Sequence, residues 1–159
     1  MSEGWRTEGT VNLFIDATPE TIYRALADVT GTGERSTECR SCTWLPGTEP
    51  GAVGARFRGR NRSGLIRWSR VCEVIMADPG TAFAYRTLPE RIDPSRNDST
   101  IWSFALMPYE SGTTVEHSYV ISKFPSAPFK AFYGRVLPQH RDMRPQMADT
   151  LQSLRRQVS

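Results

Sequence analysis

The chain has little of what would set it apart from ordinary globular proteins. Nowhere in its 159 residues is there a run near the ~18 apolar residues of a membrane span, so no stable membrane insertion is expected. Cysteine is scarce: Cys39, Cys42 and Cys72 make an odd number, which does not suit a disulfide scaffold. The first eight residues are polar and carry no apolar secretion core, and with the cysteine usage this predicts a cytoplasmic protein. Histidine is scarcer still, with His117 and His140 only. Cys39-Arg40-Ser41-Cys42 is a C-x-x-C, but no second such pair and no H-x-x-x-H accompanies it. It also leads into a strand, not the helix N-terminus where a thiol's pKa falls, so no metal, redox role or cofactor is expected. Gly-rich phosphate loops, a nucleophile elbow and a metalloprotease helix are missing as well. Lysine is confined to Lys123 and Lys130, and the net charge of +3 is too small to predict a nucleic-acid partner.

What is present is a normal balance, 38% hydrophobic and 23% charged. The length suits one domain of the usual ~100–200 residues, so residues 1–159 are read as a single domain. Val11, Leu13 and Ile15 alternate with polar neighbours and predict a strand over about 8–15. Thr18-Pro19-Glu20 then supplies an N-cap, a proline for the first helical position and an acidic first turn. Ile22, Ala25, Leu26 and Val29 follow at helical spacing, giving one or two short helices over about 19–36. From about 40 to 122 the period is two. Six strands are predicted near 40–46, 53–61, 65–77, 81–88, 99–108 and 112–122, joined by turns such as Asp78-Pro79-Gly80 and Glu110-Ser111-Gly112. Met143, Met147, Leu151, Leu154 and Val158 form one apolar stripe on a long C-terminal helix of about 127–157, kinked by Pro138 and Pro145. The fold class is therefore α+β, with a curved seven-stranded antiparallel sheet wrapped around that helix.

This order, with the stretches Gly54–Asn61, Trp68–Val74, Pro79–Tyr85, Trp102 and Gly112–Tyr119, resembles the START/Bet v 1-like (SRPBCC) superfamily. The likeness is to its polyketide cyclase/dehydrase and lipid-transport branch, and it covers roughly residues 8–157. The resemblance implies the helix-grip fold. Two departures stand out: Arg35-Ser36-Thr37-Glu38 lies where relatives often carry Trp-Ser-Pro-Glu, and His117 lies where many carry an acidic residue.

Period two also sorts the strand faces. Arg56, Arg58, Arg60 and Arg62 share one face and cannot all be buried, so they form a solvated convex row and Phe57, Gly59 and Asn61 face inward. The same parity puts Trp68, Arg70, Cys72, Val74 and Met76 on the inner face of the fourth strand. Phe83 with Tyr85, Trp102 with Phe104 and Leu106, and Val115 with His117, Tyr119 and Ile121 are the inner sets of the later strands. Trp44, Phe129, Phe132 and Tyr133 complete the expected aromatic lining. Within it Asn61, Arg70, Tyr85, His117 and Tyr119 would orient a ligand. Glu38 sits at the rim, where pairing with an arginine is the favoured reading. His140, after Pro138, reads as an exposed helix residue. These residues predict a protein, monomer or homodimer, that binds a small hydrophobic or aromatic molecule, which the resemblance implies is lipid or polyketide-like. Two alternatives use the same fold. One is a cofactor-independent aromatase/cyclase-like enzyme with His117 as acid–base and Arg70 as donor to an enolate. The other is a co-chaperone-like interaction module with a filled core and an exposed apolar patch.

Overall fold

The computed structural model describes residues 4–159. The described residues form seven strands: β1 Glu8–Ile15, β2 Cys39–Trp44, β3 Arg56–Ser63, β4 Ile66–Asp78, β5 Ala82–Thr87, β6 Ser99–Tyr109 and β7 Gly112–Lys123. They form one antiparallel sheet in the order β1-β7-β6-β5-β4-β3-β2, so chain neighbours pair as hairpins from β2 to β7. β1 closes the far edge against β7. The crossing from one edge to the other is made by α1 (Pro19–Ala27) and a 3-10 segment (Val29–Glu34). Thr18 caps α1 by accepting from the Thr21 N–H at 3.2 Å, with Pro19 in the first turn. The 3-10 segment lies so close to β2 that a Cβ on Gly33 would overlap the Arg40 carbonyl, and this fixes the segment that delivers Arg35 and Glu38.

The C-terminal element is not one kinked helix. It is broken into α2 (Ala127–Val136), a 3-10 turn (Pro138–Arg141) and α3 (Arg144–Gln157). Pro138 opens the turn and Pro145 sits in the first turn of α3. Both occupy positions where a missing N–H costs nothing, so they delimit helices and do not bend one. Met147, Leu151 and Leu154 of α3 are buried and α3 packs on β1. The core joins them to Ile15, Ile22, Leu26, Val74, Phe83, Leu106 and Val115. None of the described helices is long and apolar enough to cross a membrane.

The inner row of β3 is Phe57, Gly59 and Asn61, with Arg56, Arg60 and Arg62 outward. Parity fails on β4, where the pairing with β5 shifts between Val74 and Met76. That bulge turns Met76 outward, 45% exposed, and brings half-buried Ala77 against the core instead. A second shift, between Cys39 and Ser41 of β2, places Arg40 outward and lets Cys39 and Cys42 both face inward despite their odd spacing.

Candidate ligand cavity

Between the concave face of the sheet and the C-terminal helices lies a cavity of about 280 Å³. The sheet supplies Phe57, Asn61, Trp68, Arg70, Tyr85, Trp102, Phe104, His117 and Tyr119. Tyr133, His140, Met143, Gln146 and Met147 close it from the C-terminal side, and Arg35, Glu38, Cys39 and Cys42 from the crossing and β2. Four expected lining residues are elsewhere. Trp44 packs edge-on behind Phe57 with ring centroids 5.6 Å apart. Phe83 is core, edge-on to Tyr23. Phe129 is half-buried without reaching the cavity. Phe132 is 56% exposed and faces an outer groove with Ile66 and Leu137. That groove and the cavity share Trp68, Arg70, Asp98, Tyr133 and His140, which form the wall between them.

The aromatic wall is built from cross-strand pairs. Phe104 and His117 are register partners with rings stacked at 3.9 Å, and Trp102 and Tyr119 stack at 5.7 Å. His117 Nδ1 is 2.9 Å from the Ser103 carbonyl, which only accepts, so Nδ1 carries the proton. Nε2 has no partner among the described residues. Burial pushes the imidazole pKa down to about 4, against a weaker opposing pull from the Ser103 bond, so the ring is neutral at pH 7. Tyr85 also lines the cavity; burial raises its phenol, which stays protonated. The hydroxyl of Tyr85 and the amide of Asn61 have no partner among the described residues either.

The other polar groups are engaged. Arg70 pairs with Asp98 at 2.6 Å and donates to the carbonyls of Leu88, Arg96 and Asp98, so it fastens the 88–98 segment to β4. Tyr133 adds a bond from its hydroxyl to the Ser95 carbonyl at 2.7 Å. The Tyr119 hydroxyl donates to the Arg6 carbonyl at 3.2 Å. Glu38 pairs with no arginine. His140, half-buried and not the exposed residue expected, donates from Nε2 to its carboxylate at 2.8 Å, and Gln146 and Gln139 donate to Oε1. The partners of Glu38 come from more than a hundred residues away, which no local pattern announces. Trp5, Phe124 and Lys130 at another part of the lining also escaped sequence reasoning. Lys130 does stand over the Phe124 ring at 4.1 Å.

Cys39 and Cys42 are buried free thiols with sulfurs 3.4 Å apart. Their hydrogen bond raises the Cys39 pKa and lowers that of Cys42, whose thiolate character is favoured further by Thr32 and Arg35. Cys72 is pushed up to about 12 by burial. Among the described residues no three His, Cys, Asp or Glu groups come together as a metal site.

Residues 6–159 match the family described as polyketide cyclase/dehydrase and lipid transport. Among solved structures, TTHA0849 from Thermus thermophilus is 17% identical with a TM-score of 0.71, over 95% of this chain and 96% of that one. The Polyketide_cyc-like protein Cgl2372 from Corynebacterium glutamicum is 25% identical with a TM-score of 0.61, over 96% and 91%. The di-domain ARO/CYC StfQ of the steffimycin biosynthetic pathway is 12% identical with a TM-score of 0.67, over 97% of this chain and 51% of that one. No curated protein matches significantly.

Proposed function

This chain belongs to the polyketide cyclase/dehydrase and lipid transport family, and on that premise we propose that it binds a small hydrophobic or aromatic molecule between its sheet and C-terminal helices. The observation that carries the reading is the cavity of about 280 Å³, walled by Phe57, Trp68, Trp102 and Phe104. Its few uncommitted polar groups, Asn61, Tyr85 and His117 Nε2, are what a pocket needs to orient an apolar ligand. A co-chaperone-like module would be expected to fill this space. The Arg70–Asp98 and Tyr133–Ser95 contacts hold the wall that the cavity shares with the outer groove.

Native mass spectrometry of freshly purified protein, beside a denatured control, tests this. Extra mass that is lost on denaturation supports an occupied cavity. If the protein is clean and binds no neutral apolar probe in solution, the reading fails.

A second reading, an aromatase/cyclase-like enzyme, is favoured by one observation: the neutral His117 presents an unprotonated Nε2 to the cavity. Such a nitrogen can take a proton next to a carbonyl, although its low pKa makes it a weak base. Arg70, bound to Asp98 and three carbonyls, has little left to offer an enolate. Loss of turnover of a polyketone substrate in His117→Ala, with binding retained, would support this reading.

A further inference from the structure

Arg35 is 5% exposed, and among the described residues it is the one arginine that is buried. It borders the cavity, yet among the described residues no carboxylate lies within ion-pair distance of it. Its guanidinium has five N–H donors. Nη1 gives one to the Gln157 Oε1 at 2.9 Å and Nη2 gives one to the Thr32 hydroxyl at 3.4 Å, and both acceptors are neutral. Gln157 in turn donates to the Gly31 carbonyl at 3.1 Å, so the C-terminal end of α3 holds the guanidinium in place. The acidic groups that act on it are Tyr85 and Cys42, then Asp28, and Asp28 makes no ion pair with it. The other well-defined arginine pairs, Arg70–Asp98 and Arg144–Asp142, have their counter-charge built in. A buried cation without one is held at a cost that an incoming anion removes. Arg35 lines the same cavity as Tyr85, Cys42 and His117, and it is buried there and not at the surface.

We propose that Arg35 is an anion subsite at the inner end of the cavity, and that the ligand is an apolar acid whose carboxylate pairs with the Arg35 guanidinium. The Tyr85 hydroxyl borders the same space without a partner and is the second donor available to that carboxylate. The aromatic wall takes the apolar body. His117 contributes no bond to the acid, because the ring nitrogen it turns to the cavity accepts and does not donate. The inference rests on the ligand-binding reading above and names the chemical class of ligand. It also gives a role to the departure at position 35, where a charge replaces an aromatic wall.

The test compares binding of decanoate and naphthalene-2-acetate with that of their methyl esters, by calorimetry at pH 7, in the wild-type protein and in Arg35→Met. The wild type is expected to hold each acid about tenfold or more tighter than its ester, the usual gain of a charge-assisted pair. In Arg35→Met the acid loses that advantage and the ester keeps its affinity. Removing an unpaired buried charge leaves the fold intact, and thermal melting checks this. Arg35→Lys, which keeps the charge, retains a preference for the acid. Equal binding of acid and ester by the wild type, or a preference that survives in Arg35→Met, overturns the anion subsite while leaving the cavity reading standing. If neither acids nor esters bind, both are overturned.

Discussion

His140 Nε2 lies 2.8 Å from each carboxylate oxygen of Glu38, and this contact ties the turn before α3 to the segment entering β2. Burial alone would raise the Glu38 pKa. The bonds from His140, Gln146 and Gln139 outweigh it and hold the carboxyl below its ordinary 4.5. A depressed carboxyl pKa stabilises the folded state above the unfolded value and loses that contribution as pH falls through the folded one. The thermal midpoint is therefore expected to drop below about pH 4.5, and to drop less steeply in Glu38→Gln. At pH 7 that variant should be about 1–3 kcal/mol less stable, the range for a lost charged hydrogen bond in a half-buried network. An acid limb of the same steepness in both proteins would show that the carboxylate is not linked to folding.

His117 gives stability of the opposite chemical origin but the same direction in pH. Its ordinary pKa of 6.5 falls to about 4 in the folded state. Between those values the unfolded chain binds a proton that the native ring refuses, so stability declines as pH falls from about 6.5 to about 4 and the decline stops below that. The gap corresponds to about 3 kcal/mol. Urea unfolding at pH 7 and pH 5 should show about half of this difference. In His117→Phe, which keeps the ring stacked on Phe104, that part should vanish. A His117 imidazole resonance, identified by its loss in His117→Phe, that titrates near 6.5 in the native protein would contradict the neutral buried ring.

The inner row of Phe57 and Asn61 was legible in the sequence because four arginines at period two can only face water, which leaves one parity for the cavity. Met76 was not, because the bulge beside Ile75 changes the parity with no residue type to mark it. The sequence pattern places a kink at Pro145. Its place in the first turn of α3 depends on where the preceding 3-10 turn ends. Arg35 and Glu38 were visible as charged residues in the crossing segment, but their partners Gln157, His140 and Gln146 lie at the other end of the chain. Local patterns fix faces and elements; they do not report which distant side chain satisfies a buried charge.

Arg70 is expected to act as a clamp on the 88–98 segment. Its bonds to Asp98 and to the carbonyls of Leu88 and Arg96 leave only Nε without a partner. In Arg70→Met, amide exchange across 88–98 should speed up by about one to two orders of magnitude, while the central strands slow or speed only with global stability. The overall loss should be about 2–4 kcal/mol, since Asp98 and three carbonyls lose their donor. Exchange in that segment tracking the central strands in both proteins would mean that something other than Arg70 holds it. If this clamp is also the route inward, probe uptake in the variant becomes faster without a comparable gain in affinity.

The three thiols report access to the cavity. Cys42 carries the lowered pKa of the Cys39–Cys42 pair, with Arg35 favouring its thiolate, whereas Cys72 is held up at about 12 and is chemically silent near neutrality. Iodoacetamide at pH 8 should therefore label Cys42 first, and Cys39 and Cys72, both held up, only on unfolding, with sites assigned by peptide mapping. Every one of these sulfurs is buried, so labelling is slower than that of a free thiol and is set by how often reagent enters. A bound acid at Arg35 would occupy the same end of the cavity and slow Cys42 specifically. Equal labelling of Cys72 and Cys42 in the native protein would mean that reaction follows global opening and not the cavity. Arg35→Met separates the two influences on Cys42: removing the guanidinium raises its pKa and slows labelling in the empty protein, and it abolishes the protection by acid.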